Sequence, residues 1–243
     1  MSASSTDLAS SINLASSDFD LANSIPQSAQ SSIQAASSDD SRANSKNQDL
    51  LNTAAILQSG QPVIIPTDTV YGLALMVSEN TNPEILFQIK DRPREKSIPW
   101  LIASFADLER FTYQLPDWAY QLAQQYWPGA LTLVCLAADT VAPAFIAEDG
   151  TLALRMPNHP LTLQLISLLE APLATTSANI SGQAAVSRAV DLDQLLVSRV
   201  AAVLTNPDET DDHQALPSTI ISCLGDYPVL LRQGALDLSE WFS

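Results

Sequence analysis

Short blocks of apolar and polar residues follow one another along most of the chain, and each block predicts a strand or a helix. Apolar runs bounded by Pro, Gly or polar residues are typical of buried strands, whereas apolar residues three or four positions apart predict helices. Strands are predicted at 62–66, 98–103, 131–136, 151–156, 172–176, 200–204, 219–223 and 229–232. Helices are predicted at 49–59, 83–90, 106–111, 117–126, 158–169 and 187–197. Because this order lacks a strict strand–helix–strand rhythm, we expect an α/β fold with a twisted mixed sheet and helices packed on it.

Residues with special backbone preferences mark several of these boundaries. Gly60 suits the C-terminal end of the first helix, because glycine readily adopts the left-handed conformation found there. Asn82 followed by Pro83 is typical of an N-cap and the first helical residue. Pro160 is expected in the first turn of its helix.

Residues 1–47 differ in composition from the rest of the chain. They are mostly Ser, Ala, Asp, Asn and Gln, and Phe19 is their one aromatic residue. Such a segment cannot bury enough apolar surface to offset the entropy lost on ordering, so we expect a disordered tail. It has neither the cationic start nor the apolar stretch of a secretory signal. Residues 48–243 are then expected to form one folded catalytic domain.

Composition and charge exclude several classes of protein. The chain has 243 residues, 46% of them apolar, which is enough for one sizeable core. A formal net charge of -16 argues against a broad basic face that grips nucleic acid. No apolar run approaches the roughly 18 residues of a membrane span. We therefore expect a cytoplasmic protein with no membrane partner.

Cysteine and histidine are too sparse to indicate a metal centre. Cys135 and Cys223 each lie in an apolar, strand-like run, which is typical of small buried core residues in a reducing compartment. His159 and His213 are the two histidines of the sequence. We expect no zinc site and no other metal held by the protein itself.

A cluster of cations follows the predicted helix at 83–90. Lys90, Arg92, Arg94 and Lys96 supply four of the 11 Lys and Arg residues of the chain. The sequence has no glycine-rich nucleotide-binding motif, so a phosphate group would have to be bound by side-chain cations. Arg92 can present a planar fork to phosphate oxygens, while Lys90 and Lys96 act as point charges. The alternative is a solvated charged loop.

Polar side chains recur where predicted strands end. Ser177 and Asn179 follow one strand and could bind a carboxylate or a phosphate, or could cap their own turn. Arg155 ends another strand and suits a carboxylate, with a surface ion pair as the alternative. Ser218 and Arg232 repeat this placement near the end of the chain.

Two further residues have a structural and a functional interpretation. Asp68 could orient a ligand amine, but capping of its own turn is the favoured interpretation. His159 is expected at the entry of a helix rather than as a catalytic base.

Five stretches in register carry a resemblance to a known family. They are PTDTVYGL from Pro66, IKDRPREK from Ile89, RMPNHP from Arg155, SANISG from Ser177, and PSTII with LLRQGAL near the end. In this order they resemble the YrdC-like family of threonylcarbamoyl-AMP synthases, in its short single-domain form, over roughly residues 48–237. The resemblance implies a twisted mixed sheet with flanking helices around a large cavity.

The resemblance also implies an activity and a set of site residues. The family's nucleotidyltransferase reaction makes threonylcarbamoyl-AMP and pyrophosphate from L-threonine, bicarbonate or CO2, and ATP, for threonylcarbamoyladenosine modification of certain tRNAs. The family's K-x-R and S-x-N signature, taken as catalytic, falls on Lys90, Arg92, Ser177 and Asn179. The residues implied for L-threonine are Thr69, Arg155, Thr175 and Ser218, and those for ATP are Arg92, Lys96, Thr151, Ser177 and Arg232. Mg²⁺ would be carried on the ATP phosphates.

The sequence departs from the family pattern at three positions. Leu101 stands near the place where many members have a histidine, Ala185 where many have a serine, and Ser222 where many have an aspartate. These departures affect one expected contact to threonine and one to ATP.

The resemblance leaves other functions and partners to be tested. One alternative is an RNA-binding or ribosome-associated module on the same fold, and another is an enzyme that transfers a carbamoyl group from carbamoyl phosphate. The net charge of -16 disfavours the RNA-binding alternative. For the synthase we expect a transient complex with the threonylcarbamoyl transferase and no direct tRNA binding.

Overall fold

A nine-stranded sheet forms the centre of the fold in a computed structural model that describes residues 41–91, 98–206 and 216–242. The strands are β1 (Val63–Ile65), β2 (Gly72–Met76), β3 (Trp100–Leu101), β4 (Leu131–Leu136), β5 (Thr151–Arg155), β6 (Leu173–Ser177), β7 (Ala202–Val203), β8 (Thr219–Ser222) and β9 (Val229–Arg232). Their spatial order is β7-β1-β2-β6-β3-β5-β4-β8-β9. The pairs β1–β7, β3–β5 and β4–β8 are parallel and the others are antiparallel. The predicted mixed sheet is confirmed.

Six α-helices flank the sheet within these described ranges. They are α1 (Ser41–Gln58), α2 (Glu84–Lys90), α3 (Phe105–Phe111), α4 (Asp117–Tyr126), α5 (Pro160–Leu169) and α6 (Gln194–Val197). Gly60 has a φ of 81° just after α1, as expected of the residue that ends this helix. The Asn82 side chain accepts a hydrogen bond of 3.0 Å from the Glu84 N–H, and Pro160 is the first residue of α5. None of the helices described has the length and apolarity needed to cross a bilayer.

The first helix begins earlier than the sequence indicates. It starts at Ser41 rather than at Asp49, so residues 41–47, predicted to belong to a disordered tail, are helical. Leu50, Ala54 and Leu57 are buried against the sheet and α5, so the part of the helix that packs on the domain is the apolar segment that the sequence predicts. Residues 1–40 lie outside the described ranges, and their assignment as a tail stays a prediction.

The continuous helix predicted at 187–197 is wrong. A 3₁₀ turn at Ala189–Asp191 is followed by the short helix α6, which Asp193 begins by accepting hydrogen bonds from the Leu195 and Leu196 N–H groups at 2.8 and 3.2 Å. Val190 is 79% exposed. Its side chain therefore does not share the buried face that one long helix would require.

Strand β2 is absent from the predicted elements. Its sequence, GLALM, is almost entirely buried, because the strand lies between β1 and β6 and packs Leu73 and Leu75 into one apolar cluster and Ala74 into another. A strand buried on both faces shows no polar–apolar alternation. The adjoining polar residues, PTDTVY, made the region look like a turn.

Two apolar clusters pack against the sheet. One includes Leu133, Leu152, Leu154 and Trp100, and it extends to α2, α3 and α4. The other joins α1 and α5 to β1, β2 and β6. Helices therefore cover the β1–β2–β6 part of the sheet on the side that carries the second cluster.

The two cysteines are free, buried core residues, as predicted. Cys135 lies on β4 and is 1% exposed, and Cys223 directly follows the neighbouring strand β8 and is 5% exposed. A hydrogen bond with Cys223, together with burial, raises the pKa of the Cys135 thiol well above its ordinary value. A neutral thiol is the form expected at this place.

Candidate active site

A cavity of 690 Å³ opens beside the central and C-terminal strands. Alternation along β5 places Leu152 and Leu154 in the core, while Thr151, Ala153 and Arg155 line the cavity. Thr132 and Val134 of β4 line it in the same way. One face of these strands therefore forms its wall.

Most of the predicted site residues meet at this cavity. Those that line it are Thr69, Thr151, Arg155, Thr175, Ser177, Asn179, Ser218 and Arg232. They come from β5, β6 and β9 and from loops adjoining β2, β6 and β8. Arg92 and Lys96 lie outside the residues that the structure describes.

Arg155 is held by three different partners. Its Nε donates to the Gly129 carbonyl at 3.0 Å, its Nη1 to the Thr69 hydroxyl at 2.8 Å, and its Nη2 to Asp68 Oδ1 at 2.6 Å. The residue is 6% exposed. The ion-pair alternative was therefore correct in that Arg155 has an acidic partner, but the pair joins a buried, cavity-lining Arg155 to a half-buried Asp68 and does not lie on the open surface.

The prediction that Asp68 caps its own turn is wrong. Its carboxylate pairs with Arg155, and the turn is held instead by Thr67, whose hydroxyl accepts from the Thr69 N–H at 3.2 Å and donates to the Val70 carbonyl at 2.7 Å. The acidic side chain is thereby available to fix the guanidinium. A largely buried, hydrogen-bonded ion pair of this kind gives Arg155 one defined orientation.

The turn after β6 shows the capping interpretation, whereas binding of a carboxylate or phosphate by Ser177 and Asn179 stays a prediction. The Asn179 amide donates to the Gln183 carbonyl at 2.6 Å, so it does cap its own turn. The Lys90 ammonium binds the same turn, donating to the Ser177 carbonyl, to the Ser177 hydroxyl at 3.2 Å and to Asn179 Oδ1 at 3.0 Å. Lys90 is 3% exposed and belongs to the support of this turn, whereas Ser177 and Asn179 line the cavity.

Asp149 is a cavity residue that the sequence analysis did not single out. Its carboxylate accepts from the Thr151 hydroxyl at 2.6 Å and from the Thr151 N–H at 3.1 Å. This arrangement fixes the side chain of Thr151 at the start of β5. The sequence indicates this residue through its position two residues before a strand, because an aspartate side chain can accept a hydrogen bond from the main-chain N–H two residues further on.

Ser218 and Arg232 are joined directly. The Arg232 guanidinium donates to the Ser218 carbonyl from Nε at 3.1 Å and from Nη2 at 2.8 Å, and Nη2 also lies 3.2 Å from the Ser218 hydroxyl. Thr132, which the sequence analysis also missed, lies 2.8 Å from that hydroxyl through its own Oγ1. The buried polar residue inside the run LTLVCL is the signal that could have found it.

The remaining predicted positions divide clearly. His159 precedes α5 and contacts the Thr162 hydroxyl through Nδ1 at 3.3 Å, which confirms it as a helix-entry residue. Leu101 and Ala185 line the cavity, so two of the three departures from the family pattern fall on its wall. Ser222 ends β8 and does not belong to that wall.

Potential metal ligands do not cluster in the described part of the chain. Within residues 41–91, 98–206 and 216–242, no group of three or more His, Cys, Asp or Glu side chains is arranged to hold a metal ion. The polar groups at the cavity are mainly hydroxyls, amides and guanidinium groups. Such groups suit carboxylate and phosphate oxygens.

Comparison with known proteins assigns the family. The model of the Sua5/YciO/YrdC family, described as "Telomere recombination", matches residues 55–234. The chain belongs to this family. It is 34% identical over 194 residues to the threonylcarbamoyl-AMP synthase of Bacillus subtilis, covering 79% of this chain and 55% of that protein. It is 35% identical over 187 residues to the synthase of Pyrococcus abyssi, covering 77% and 54%.

A solved structure of a relative has the same fold as this chain. The structure of P. abyssi Sua5 in complex with L-threonine matches with a TM-score of 0.71 and 33% identity, covering 80% of this chain and 56% of that one. The chain therefore spans little more than half the length of these Sua5/YciO/YrdC relatives.

Proposed function

We propose that this protein forms threonylcarbamoyl-AMP and pyrophosphate from L-threonine, bicarbonate or CO2, and ATP. One observation carries the proposal. The residues that the family resemblance assigns to L-threonine and those described residues that it assigns to ATP line the same cavity. Thr175 and Ser177 are two positions apart on β6, and Ser218 and Arg232 are hydrogen-bonded to each other. Substrates bound by these two sets would be adjacent, which a reaction between them requires.

Threonine is proposed to bind through Thr69, Arg155, Thr175 and Ser218. A guanidinium group that is already oriented by Asp68, Thr69 and Gly129 is well suited to a substrate carboxylate. The related P. abyssi protein was solved with L-threonine, which supports this choice of amino acid.

ATP is proposed to bind through Thr151, Ser177 and Arg232, together with Arg92 and Lys96. The amine of L-threonine first bonds to CO2 with loss of a proton, or to bicarbonate with loss of water, and gives N-carboxythreonine. Its carboxylate attacks the α-phosphorus, a new P–O bond forms, and the P–O bond to the departing pyrophosphate breaks. A carboxylate is already an adequate nucleophile, so the protein contributes mainly position and compensation of phosphate charge. Mg²⁺ would enter bound to the ATP phosphates, with Lys90 and Asn179 supporting the turn that carries Ser177.

The product is a reactive mixed anhydride that a second enzyme must consume. We propose that a threonylcarbamoyl transferase takes it in a transient complex and passes the group to tRNA, so that tRNA need not bind to this chain. A strongly acidic chain, with a formal net charge of -16, is consistent with indirect contact to tRNA. A cytoplasmic location, where both enzymes and tRNA would meet, stays a prediction.

Pyrophosphate release by the purified protein tests the proposed reaction. ATP, Mg²⁺, L-threonine and bicarbonate are supplied together and then each is omitted in turn. We expect release that requires ATP, L-threonine and bicarbonate, because the attacking carboxylate is formed from the last two. Formation of threonylcarbamoyl-AMP, followed by mass spectrometry, should match the pyrophosphate in amount.

Other outcomes would indicate the alternatives. Pyrophosphate release in the absence of L-threonine would contradict the proposal that L-threonine is a substrate of this reaction. Consumption of carbamoyl phosphate in place of threonine and bicarbonate would indicate a carbamoyl transferase. Binding of RNA by a folded protein that releases no pyrophosphate would indicate the RNA-binding module.

A further inference from the structure

Three neighbouring strands bring a small polar network to the cavity. Thr132 lies on β4, Ser218 directly precedes β8, and Arg232 ends β9. The parallel β4–β8 ladder pairs Thr132 with Ile220, and Thr132, Ser218 and Ile220 all line the cavity. The network is therefore built by strand pairing between segments that are far apart in the sequence.

Thr132 has a specific place in this network. The residue is 1% exposed, and among the described residues its hydroxyl has one hydrogen-bond partner, the Ser218 hydroxyl at 2.8 Å. The Thr132 hydroxyl depends on Ser218 for its hydrogen bond, and this bond in turn restricts the orientation of the Ser218 hydroxyl. The β-branched Thr132 side chain also has few rotamers, so its oxygen is held in a fixed position.

The hydrogen-bonding capacity of Ser218 limits what its hydroxyl can do. A serine hydroxyl has one proton and accepts through two lone pairs. Arg232 can only donate, so its Nη2 uses one lone pair at 3.2 Å. Ser218 is the one acceptor that the buried Thr132 proton has among the described residues, so we assign Thr132 as the donor to the second lone pair. The Ser218 proton is then the one that can reach an acceptor atom in the cavity.

We propose that Thr132 is a positioning residue that makes the Ser218 hydroxyl a hydrogen-bond donor to the amino-acid substrate. This inference rests on the proposed function, because it concerns the side of the cavity assigned to L-threonine. The matching substrate group is an acceptor oxygen, such as a carboxylate oxygen. Thr132 acts through the Ser218 hydroxyl, which is its hydrogen-bond partner among the described residues.

The ATP side of the cavity is expected to be independent of Thr132. Arg232 is attached to the Ser218 main-chain carbonyl by two hydrogen bonds, at 3.1 and 2.8 Å. Removing the Thr132 hydroxyl leaves both of these bonds in place. Arg232 should therefore keep its position when Thr132 is replaced.

The decisive variant is Thr132→Val, which keeps the branched shape and removes the hydroxyl. The KM for L-threonine and its Kd by calorimetry should both rise about five- to tenfold, the range expected for loss of one hydrogen bond. The KM for ATP should stay unchanged. Thr132→Ser, which restores the hydroxyl, should recover threonine binding.

Two controls separate positioning from a general structural effect. Thr53→Val removes another buried threonine hydroxyl, which bonds the Asp49 carbonyl within α1, and should leave the KM for L-threonine unchanged. In a Ser218→Ala background, adding Thr132→Val should weaken threonine binding no further, because its effect passes through Ser218.

Each contrary result has a defined meaning. An additive effect in the Ser218→Ala background would overturn the inference, because Thr132 would then act independently of Ser218. If the wild-type enzyme is active and Thr132→Val leaves the KM for L-threonine unchanged, this inference is overturned and the proposed function is not. A wild-type protein that neither binds L-threonine nor releases pyrophosphate would overturn both this inference and the proposed function.

Discussion

Lys90 illustrates how a residue of the family signature can contribute without lining the cavity. The sequence predicts a point charge for phosphate, but the structure directs the ammonium group to three acceptors on the turn that carries Ser177 and Asn179. These acceptors lie almost 90 residues further along the chain, so their approach could not be inferred from local sequence. The side chain fixes the shape of a loop that itself forms the cavity wall.

Replacing Lys90 with Met should therefore lower both stability and activity. Methionine has a similar length but donates no hydrogen bond, so the half-buried acceptors on Ser177 and Asn179 lose a partner. The free energy of unfolding should fall by about 1–3 kcal/mol in urea titrations. Pyrophosphate release should fall as well, because Ser177 and Asn179 lose their fixed position.

Lys46→Met provides the comparison for this change, since Lys46 lies on α1 at a distance in sequence from the turn. Equal loss of activity in both variants would contradict a specific role for Lys90. So would a Lys90→Met protein with wild-type stability and turnover.

At the scale of the elements, β9 contributes Leu231 and Arg232 to the cavity wall, and the loop after β9 packs against the segment that carries Ser218. The Gly234 N–H donates to the Thr219 hydroxyl at 3.0 Å, and the Ala235 N–H to the Pro217 carbonyl at 2.8 Å. A Cβ atom on Gly234 would overlap the main chain of Pro217 and Ser218. This close approach explains a glycine in LLRQGAL and fixes the backbone of Ser218.

We expect Gly234→Ala to separate these two segments. The added methyl group meets main-chain atoms that cannot turn away as a flexible side chain could. Overpacking of this kind costs about 1–3 kcal/mol, measurable as a lower free energy of unfolding. The KM for L-threonine should rise because Ser218 is displaced.

Gly225→Ala is the matched control, because its added Cβ meets no atom within 4 Å. That variant should resemble the wild type in both stability and KM. A stable Gly234→Ala variant with an unchanged KM would show that the loop can shift without affecting the cavity.

At the scale of the whole molecule, the strand order explains how distant segments form one site. Strand β3 lies between β6 and β5, and β4 lies between β5 and β8. Motifs that begin at Pro66, Arg155, Ser177 and Pro217 are therefore brought to one cavity. The helix α1 packs against α5 and the sheet, so the N-terminal part of the described chain belongs to the domain.

Removing residues 1–40 should change stability and activity little. Their Ser- and Ala-rich composition offers little apolar surface to bury, and the deletion leaves α1 intact from Ser41. The free energy of unfolding should stay within about 0.5 kcal/mol of the wild type in urea titrations. A deletion that continues to residue 57 removes buried Leu50 and Leu57 and should destabilise the domain strongly. A large loss of stability on removing residues 1–40 alone would show that they pack on the domain.

The local sequence determined most elements, because strands β4 and β5 and helices α4 and α5 carry clear apolar patterns and well-defined ends. Polar positions at strand ends also identified five residues that meet at the cavity, Arg155, Ser177, Asn179, Ser218 and Arg232, whereas Thr69, Thr151 and Thr175 were implied by the family resemblance. Strand β2 and the break between Asp191 and Gln194 were missed. The first is buried on both faces, and the second depends on which apolar side chains find a partner in the fold.

The sequence alone thus determined the α/β class, the mixed sheet and a group of hydroxyl and guanidinium residues suited to anionic substrates. The tertiary structure decided which of them act together. It paired Asp68 with Arg155, directed Lys90 to Ser177 and Asn179, and brought Thr132 to Ser218. Apolar periodicity is a local property that each segment carries by itself. Hydrogen-bond partners depend on strand order and register, which form only when the whole chain packs.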